Sequence, residues 1–312
     1  MNKKIKIYIS LVSILIILTS FLYNKNFIND ETIYSNFNND NFPSSKEVKL
    51  SDANFFNKDN NIILVIADSH LYKKSFIRIK ELVKQYNVKL VVHLGDHTDF
   101  GSTDEIVMAK SLMDSLEVSY VSLPGDRDLA AFSGEDVFYK YFKKVNITNF
   151  AGINLSFINN AANFTPLDEN YLNASLNNLK ISKIIFLSQP IFVEKGNILE
   201  SKYMGSPTAF SFESIESKKI QERYFIQRNK ILNLIRDSND KLIVSGDHHR
   251  SATFNDPNNK TIKYHIVGSS AEYLNSEGLQ IKQKAFQSQR VTLISISPSN
   301  DYELKEVILF EE

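Results

Sequence analysis

The feature that most constrains the fold is a series of short, mostly apolar segments, each followed by a segment with helical periodicity. The first three are IILVIA at 62–67, VKLVVHL at 88–94 and VSYVSL at 118–123. Such runs, rich in β-branched residues, are typical of parallel strands that are buried on both faces. Segments with helical spacing at 75–86 and 104–116 separate them. The pattern therefore predicts βαβ units and a mainly parallel sheet.

The remainder of the chain extends this pattern and then changes it. Further helices are predicted at 135–144, 167–179 and 217–238, and further strands at 183–187 and 241–245. After these, apolar and polar residues alternate with a period of two, in TIKYHIVGS, RVTLISIS and YELKEVILF. Alternation of this kind indicates strands with one buried face. We therefore expect a second, more antiparallel sheet to pack against the first.

The N-terminus combines positive charge with a long apolar run. Lys3, Lys4 and Lys6 precede the uncharged segment IYISLVSILIILTSFLY at 7–23. This length is near the lower limit for crossing a bilayer, and no small-x-small cleavage site follows it. We interpret 7–23 as an uncleaved, single-pass transmembrane anchor, with a cleaved secretion signal as the alternative. Because lysines stay on the cytoplasmic side, residues 1–6 are expected in the cytoplasm and the rest of the chain outside the cell membrane.

Composition excludes several classes of function. The chain has no cysteine, which excludes disulfides, thiolate catalysis and cysteine-type zinc sites. Its 36 basic and 36 acidic residues cancel, so no general nucleic-acid surface is evident. Residues 24–60 are rich in Asn, Asp and Ser, which predicts a polar tether before a folded domain at 61–312. Nothing in the sequence sets the oligomeric state.

Polar residues that can bind cations follow five of the predicted strands, directly at their carboxyl ends. The segments are DSH at 68–70, GDHTD at 95–99, GDRD at 125–128, SQP at 188–190 and GDHH at 246–249. In open α/β sheets, ligands bind in the crevice beyond the carboxyl ends of the strands. A pocket with so many carboxylates repels itself unless cations are bound. The sequence therefore predicts a cation site at this edge.

Taken in order, the five segments resemble the motifs of the calcineurin-like metallophosphoesterases. The family pattern is D-x-H, G-D-x-x-D, G-N-H-[DE], H-x-P and G-H-x-H, and the resemblance extends over about 61–312. The first two motifs match fully and the last three in part. The resemblance implies an α/β fold, a four-layer αββα sandwich of two mixed sheets flanked by helices, preceded here by the predicted transmembrane helix. It also implies two divalent metal ions and a phosphate-ester substrate.

The same resemblance implies six metal ligands. They are Asp68, His70 and His249 at the first metal, Asp126 and Asp247 at the second, and Asp96 as the bridge between them. Asp126 and Asp247 replace an Asn and a His of the family pattern, and Ser188 replaces a further His and is a weak ligand at best. Because the second site offers only oxygen ligands, Mn²⁺ or Mg²⁺ is favoured, with Fe or Zn as alternatives at the first site.

The third motif differs where family members help to stabilise the transition state. Arg127 replaces a His there; it can bind phosphate oxygens but cannot act as an acid. His248 is the candidate proton donor by position. The sequence thus predicts membrane-anchored, extracytoplasmic hydrolysis of a phosphate ester by a metal-activated hydroxide. Diesters are favoured over monoesters, since four carboxylates face two metals. A single-metal enzyme and a non-catalytic family member that only binds are the alternatives.

Five other polar residues in these regions have structural explanations. His93 lies within a buried strand and is expected to be a hydrogen-bonded core residue. For His97, support of a ligand, a surface position and a metal contact are all open. We expect Asp99 to cap a turn or support a ligand. Asp128 is expected to orient the arginine before it or a neighbouring loop. His265, on a late strand, is expected to be structural.

Overall fold

The computed structural model describes residues 59–130, 134–161, 169–191, 215–249, 251–271 and 288–310. Within these ranges the strands are β1 Asn61–Ile66, β2 Leu90–His93, β3 Tyr120–Ser122, β4 Ile147–Phe150, β5 Ile153–Ile158, β6 Ile184–Leu187, β7 Lys241–Ser245, β8 Ala252–Asn255, β9 Ile262–Ile266, β10 Arg290–Ile296 and β11 Tyr302–Ile308. The helices are α1 Lys73–Gln85, α2 Thr103–Asp114, α3 Gly134–Tyr141, α4 Glu169–Ile181 and α5 Ile215–Arg236.

The strands form two mixed sheets. The first has the order β11-β10-β1-β2-β3, in which β1, β2 and β3 are parallel while β10 and β11 are antiparallel to their neighbours. The second has the order β4-β5-β6-β7-β9-β8, with a parallel set from β5 to β9 and antiparallel strands at both edges. The carboxyl ends of each parallel set therefore meet at one edge of their sheet. The prediction of two mixed sheets with helices is confirmed. The expectation that the late strands form a separate, more antiparallel sheet is wrong, because they divide between the two sheets: β10 and β11 pair beside β1, and β9 is parallel to β7.

Three apolar cores show why the first strand has no polar alternation. Ile62, Leu64 and Ile66 of β1 pack in a core with α1, α2 and α3. Ile63 and Val65, on the other face of the strand, pack in a core that contains residues of both sheets. A third core joins the second sheet to α4 and α5. Because β1 is buried on both faces from Ile62 to Ile66, each of these five positions favours an apolar residue.

The helix after the second motif is fixed at its start by its own sequence. Ser102 precedes α2, and its hydroxyl oxygen accepts a hydrogen bond from the Glu105 N–H at 3.3 Å. The Glu105 carboxylate accepts in return from the Ser102 N–H at 3.0 Å. This reciprocal cap satisfies two N–H groups that the first turn leaves without partners. It also fixes where the polar loop at 95–99 ends.

The predicted anchor at 7–23 and nearly all of the predicted tether at 24–60 lie outside the described residues. Of the helices within the described ranges, none is both long enough and apolar enough to span a bilayer.

Candidate metal centre

All six residues predicted as metal ligands come together at the carboxyl ends of the strands. Ligand atoms lie within 4.8 Å of one another in each of two groups, which are Asp68, His70, Asp96 and His249, and Asp96, Asp126 and Asp247. We call the first group the first half-site and the second group the second half-site. They share Asp96. Loops that follow β1, β2 and β3 of one sheet and β7 of the other contribute to this one centre.

The backbone of these loops adopts an unusual conformation. Asp68, His70, Asp96, Asp247 and His249 have φ angles of 51°, 43°, 54°, 69° and 56°. Positive φ is uncommon outside glycine, and sparsely populated conformations cost on the order of 1–3 kcal/mol each. Bonds between loops enforce them; for example, the His70 N–H donates to the Asp96 carbonyl oxygen at 3.0 Å. Strain concentrated at these five positions points to a functional site.

Two glycines allow the loop after β2 and the loop after β3 to approach each other. A Cβ atom on Gly125 would lie 1.9 Å from Oδ1 of Asp96 and 2.2 Å from its backbone nitrogen. A Cβ atom on Gly95, whose φ is 120°, would lie 2.6 Å from the Cα atom of Gly125. A larger residue at either position would push the loops apart. Glycine is therefore required for Asp96 to pack against the backbone at 125.

The carboxylate of Asp68 is the most unusual group of the first half-site. It is fully buried, and neither oxygen makes a hydrogen bond within the described residues. Its Oδ1 lies 3.8 Å from Nε2 of His249. The Asp68 backbone is well bonded by contrast, since its carbonyl oxygen accepts from the Ser269 hydroxyl at 2.9 Å and the Ala271 N–H at 3.2 Å. The backbone N–H groups of Asp247 and His249 lower the pKa of Asp68 but form no hydrogen bond of good geometry with it, and burial outweighs them. A buried carboxylate with so little support is costly unless a cation compensates it.

Asp99 fixes the imidazole of His70. Its Oδ1 lies 2.8 Å from Nδ1 of His70. Because an ionised carboxylate only accepts, Nδ1 carries the proton and Nε2 presents its lone pair. Nε2 is buried and makes no hydrogen bond within the described residues. Metal-binding histidines usually have this arrangement. Asp99 therefore supports His70, which is one of the two roles expected for it.

Burial and mutual repulsion change the acidity of the two central carboxyl groups. Burial, and next the charge of Asp126, raises the pKa of Asp68 well above its ordinary value. Burial, followed by the charges of Asp126, Asp68 and Asp247, raises the pKa of Asp96 in the same way. Without a cation these groups hold protons more tightly than ordinary carboxyl groups. A divalent cation that binds here must displace those protons.

The second half-site has one buried ligand where the first has two, and its neighbours are different. Asp126 and Asp247 are half-buried. The side-chain amide of Gln189 donates to Oδ1 of Asp247 at 3.2 Å. Asn160 holds Gln189 in turn, because its amide donates to the Gln189 carbonyl oxygen at 2.8 Å and its Oδ1 accepts from the Gln189 N–H at 2.9 Å. Sequence analysis missed both residues, although each lies within two positions of the end of a parallel strand.

The three remaining motif residues that sequence analysis considered for the site have different surroundings in the structure. The hydroxyl of Ser188 is buried and makes no hydrogen bond within the described residues. Arg127 is exposed, and its backbone N–H donates to Oδ1 of Asp96 at 3.1 Å. His248 is buried and belongs to neither half-site. The catalytic roles of Arg127 and His248 stay predictions.

Asp128, in the loop after β3, connects that loop to the loop after β2. Its Oδ2 accepts from Nδ1 of His97 and from the Gly125 N–H, both at 2.9 Å. Its Oδ1 accepts from the N–H and the hydroxyl of Thr98, at 2.9 Å and 2.8 Å. Asp128 therefore orients a neighbouring loop, as expected. His97 is wholly buried, so the alternative of a surface position for it is wrong.

The two remaining histidines are structural, as predicted. Nδ1 of His93 accepts from the Gly95 N–H at 3.2 Å, and Nε2 lies 2.8 Å from the Ser69 hydroxyl. The ring nitrogens of His265 lie 2.8 Å and 2.7 Å from the hydroxyls of Thr253 and Thr292. Burial lowers the pKa of His93 and lowers that of His265 to about 4. Both rings are therefore neutral, hydrogen-bonded core residues near pH 7.

The donor set fits divalent cations. The first half-site offers two imidazoles and two carboxylates, among them the Asp68 carboxylate that makes no hydrogen bond. This mixture suits transition metals such as Mn²⁺, Fe²⁺ or Zn²⁺. The second half-site offers three carboxylates and no imidazole, a set that suits harder cations such as Mg²⁺ or Mn²⁺.

Several solved structures are similar to this chain at low sequence identity. A purple acid phosphatase from yellow lupin, Lupinus luteus, matches with a TM-score of 0.52 and 11% identity, over 80% of this chain and 52% of the lupin chain. A dimetal phosphatase from Danio rerio matches with a TM-score of 0.49 and 11% identity, over 80% and 97%. GAP50, the anchor in the inner membrane complex of Plasmodium, matches with a TM-score of 0.49 and 14% identity, over 80% and 85%.

Comparison of the sequence with protein families identifies the family, which the structural similarities do not. No curated protein sequence gave a significant match. The model of the calcineurin-like phosphoesterases matches residues 62–268, which include all five motifs and both half-sites. Since this match covers more than half of the chain, it establishes the relationship that the motifs indicated. The chain is a member of the calcineurin-like phosphoesterase family, with an altered second half-site.

Proposed function

We propose that this protein is a metal-dependent phosphoesterase that works with two divalent cations. The observation that carries the proposal is the pair of half-sites that share Asp96, one of which contains a buried carboxylate without hydrogen bonds. Cations bound at such a centre supply Lewis acidity, which lowers the pKa of water and polarises a phosphoryl oxygen. Family membership supports the same reaction class.

The chain's own residues have separable tasks in this proposal. Asp96 binds at both half-sites, and its position is fixed by the close approach of Gly125. Arg127, on the exposed rim, offers a guanidinium that binds the non-bridging oxygens of the phosphoryl group and stabilises their charge. Because Arg127 cannot release a proton, the leaving group needs another donor. His248 is proposed for this task.

The charge of the second half-site supports a preference for diesters. Asp126 and Asp247 add two carboxylates to those of Asp68 and Asp96. Four ionised carboxylates balance the charge of two divalent cations. A monoester dianion gains less from a neutral centre than from a positive one, and attraction scales with the product of the charges. We therefore propose that a monoanionic diester is the better substrate, and that Mn²⁺ or Mg²⁺ supports turnover better than Zn²⁺.

We also propose that residues 7–23 hold the enzyme at the cell membrane with the phosphoesterase domain outside. The apolar run and the three preceding lysines support this arrangement. An anchored chain stays with the membrane fraction through high-salt and carbonate washes. Recovery of a soluble mature form that begins near residue 21 would instead show a cleaved signal and a secreted enzyme.

The test of the function combines metal analysis with turnover. The full chain, purified in detergent and loaded with Mn²⁺, is expected to retain two cations per chain and to hydrolyse bis-aryl and mono-aryl phosphates. The Asp96→Asn variant, altered at the shared ligand, should lose both properties. A parent chain that binds no cation contradicts the proposal. Two bound cations without turnover of either ester would support the binding-only alternative.

A further inference from the structure

Gln189 makes a set of contacts for which the motif that contains it assigns no role. It occupies the middle of the SQP segment after β6, and its side-chain amide donates to Oδ1 of Asp247 at 3.2 Å. A carboxylate can rotate about its last bond, and a donor to one oxygen restricts that rotation. This bond therefore bears on which direction the Asp247 carboxylate offers to a cation.

The backbone of Gln189 is held unusually well for a loop. Asn160, which is buried, donates to the Gln189 carbonyl oxygen and accepts from its N–H, at 2.8 Å and 2.9 Å. Pro190 follows directly and restricts the residue before it to extended conformations. Arg228 of α5 then donates from Nε to the Ile191 carbonyl oxygen at 2.6 Å. Few other conformations are left to this segment.

The residue before Gln189 also restricts the conformation of this segment. Ser188 carries a buried hydroxyl that makes no hydrogen bond within the described residues. Leaving such a group without a partner costs about 1–3 kcal/mol. Its N–H donates to the Ile158 carbonyl oxygen at 3.4 Å, and its carbonyl oxygen accepts from the Gly246 N–H at 3.3 Å. The loop is thereby tied to both the strand that leads to Asn160 and the loop that carries Asp247.

We propose that Gln189, held by Asn160, is a positioning residue that orients Asp247 and so sets the cation affinity of the second half-site. The inference rests on the proposed two-cation centre and adds to it the residues that organise its altered half. A neutral amide adds no charge to a half-site that already holds three carboxylates. Loss of the Gln189 amide should lower cation affinity at the second half-site only, because Asp99 supports the first half-site.

The experiment measures Mn²⁺ binding to the metal-free full chain in detergent, by equilibrium dialysis with electron paramagnetic resonance of the bound ions. Gln189→Leu removes the donor and keeps the approximate volume. We expect the second, weaker binding step to lose about 10–100-fold in affinity, the range found when groups behind a ligand are changed. The first step should change by less than about 3-fold. Asn160→Ala should act in the same direction.

Two further variants separate positioning from general loss of structure. Asn154→Ala is the matched control, because Asn154 lies on β5, the strand that leads to Asn160, and likewise donates a side-chain hydrogen bond to a backbone carbonyl, that of Ile181 at 3.5 Å. It should leave both binding steps unchanged. In an Asp247→Ala background, Gln189→Leu should have no further effect on the second step, since its action passes through Asp247.

The outcomes distinguish this inference from the proposed function. A parent chain that does not bind a second Mn²⁺ overturns both. A parent with two Mn²⁺ and a Gln189→Leu variant with the same second affinity overturns the role of Gln189 alone. Equal weakening of both steps, or a full effect of Gln189→Leu in the Asp247→Ala background, also overturns it, because the change is then not transmitted through Asp247.

Discussion

The two half-sites share Asp96 but keep their other ligands in place by different means. In the first, a carboxylate lies behind an imidazole, with Asp99 2.8 Å from His70. In the second, a neutral amide lies behind a carboxylate, with Gln189 3.2 Å from Asp247. The first also contains the buried Asp68, while the two ligands that only the second has are half-buried.

This difference indicates that the first half-site is the tighter one. The hydrogen bond behind the His70 imidazole is shorter than the one behind the Asp247 carboxylate, and a buried carboxylate gains more from a nearby cation than an exposed one. The second half-site is held by the longer contact, and Asp96 is its one buried ligand, whereas the first half-site has two, Asp68 and Asp96. We therefore expect stepwise binding, with the first half-site filled before the second. Each prediction below tests that order or the chemistry behind it.

The largest effect is expected from removal of a ligand of the first half-site. His70→Ala and His249→Ala each remove one of its two imidazoles. Loss of a ligand should cost at least the 10–100-fold in affinity or activity found for groups behind a ligand. Metal content and turnover of an aryl phosphate diester are the measurements, with circular dichroism as the check on folding. If either folded variant keeps full metal content and activity, the assignment of its histidine is wrong.

The second prediction changes the chemistry of the second half-site. Asp247→His removes one negative charge and supplies an imidazole. We expect Zn²⁺ to support more turnover relative to Mn²⁺, and the ratio of monoester to diester turnover to rise by up to about 10-fold. Asp126→Asn is the matched variant, because it removes the same charge without adding nitrogen. It should raise the ester ratio without improving turnover with Zn²⁺.

If the parent already prefers the monoester, and neither variant moves the ratio further, charge in the second half-site does not set substrate preference. A rise in the ratio for Asp247→His alone would assign the preference to the imidazole and not to charge.

The third prediction concerns the support of His70. Asp99→Ala removes the acceptor for Nδ1, so the imidazole can rotate and change its tautomer. We expect affinity at the first half-site to fall about 10-fold and the second binding step to change less. Asp104→Ala, in the exposed first turn of α2, is the control and should leave both steps unchanged. Equal losses at both half-sites would remove the distinction between them.

A smaller effect is expected on the stability of the metal-free chain. The folded-state pKa of Asp68 is raised from its ordinary value near 3.8, first by burial and then by Asp126. A raised pKa stabilises the fold below the ordinary value, and this contribution is lost as the pH rises through the folded-state pKa. The metal-free parent should therefore unfold at lower temperature as the pH is raised from about 4 toward 8.

Asp68→Asn removes the titrating group and tests the same point. At pH 8 its metal-free form should melt roughly 2–4 °C or more above the metal-free parent, which corresponds to about 1 kcal/mol or more for a domain of this size. Added Mn²⁺ should stabilise the parent and not the variant. A variant that melts below the metal-free parent at pH 8 would show that the Asp68 charge is not a cost to the fold.

Much of the fold could be predicted from the sequence because β1 is buried on both faces and has no polar alternation. The strands β4, β5 and β8 were not predicted; β8 is a short edge strand with one buried position. β4 is an edge strand with no fully buried position, and β5 carries Asn154 and Ser156 among its apolar residues. In neither β4 nor β5 do apolar residues recur with a clear period. They pair through a tight turn at Ala151 and Gly152, where φ is 51° and 84°.

The candidate site divides in the same way. The strand ends indicated a cation site, and its six ligands could be predicted because they match motif positions of the family that the sequence resembles. Gln189 and Asn160 could not, because their contact depends on β5 and β6 being parallel neighbours in the second sheet. The sequence left two roles open for Asp99, because it does not show that the loop after β2 brings Asp99 next to His70. Sequence patterns give the residues near a strand end, and only the sheet order shows which loops are adjacent.

The most direct test of the account is a titration of the metal-free full chain with Mn²⁺, followed by electron paramagnetic resonance. The account predicts two Mn²⁺ per chain, bound in a tighter and a weaker step. Because Asp96 belongs to both half-sites, the second step should replace the isolated-ion signal with that of a coupled pair, and Asp96→Asn should abolish the coupling. Binding of a single Mn²⁺, or of two ions whose signals remain independent, would contradict the claim that unequal half-sites form one centre.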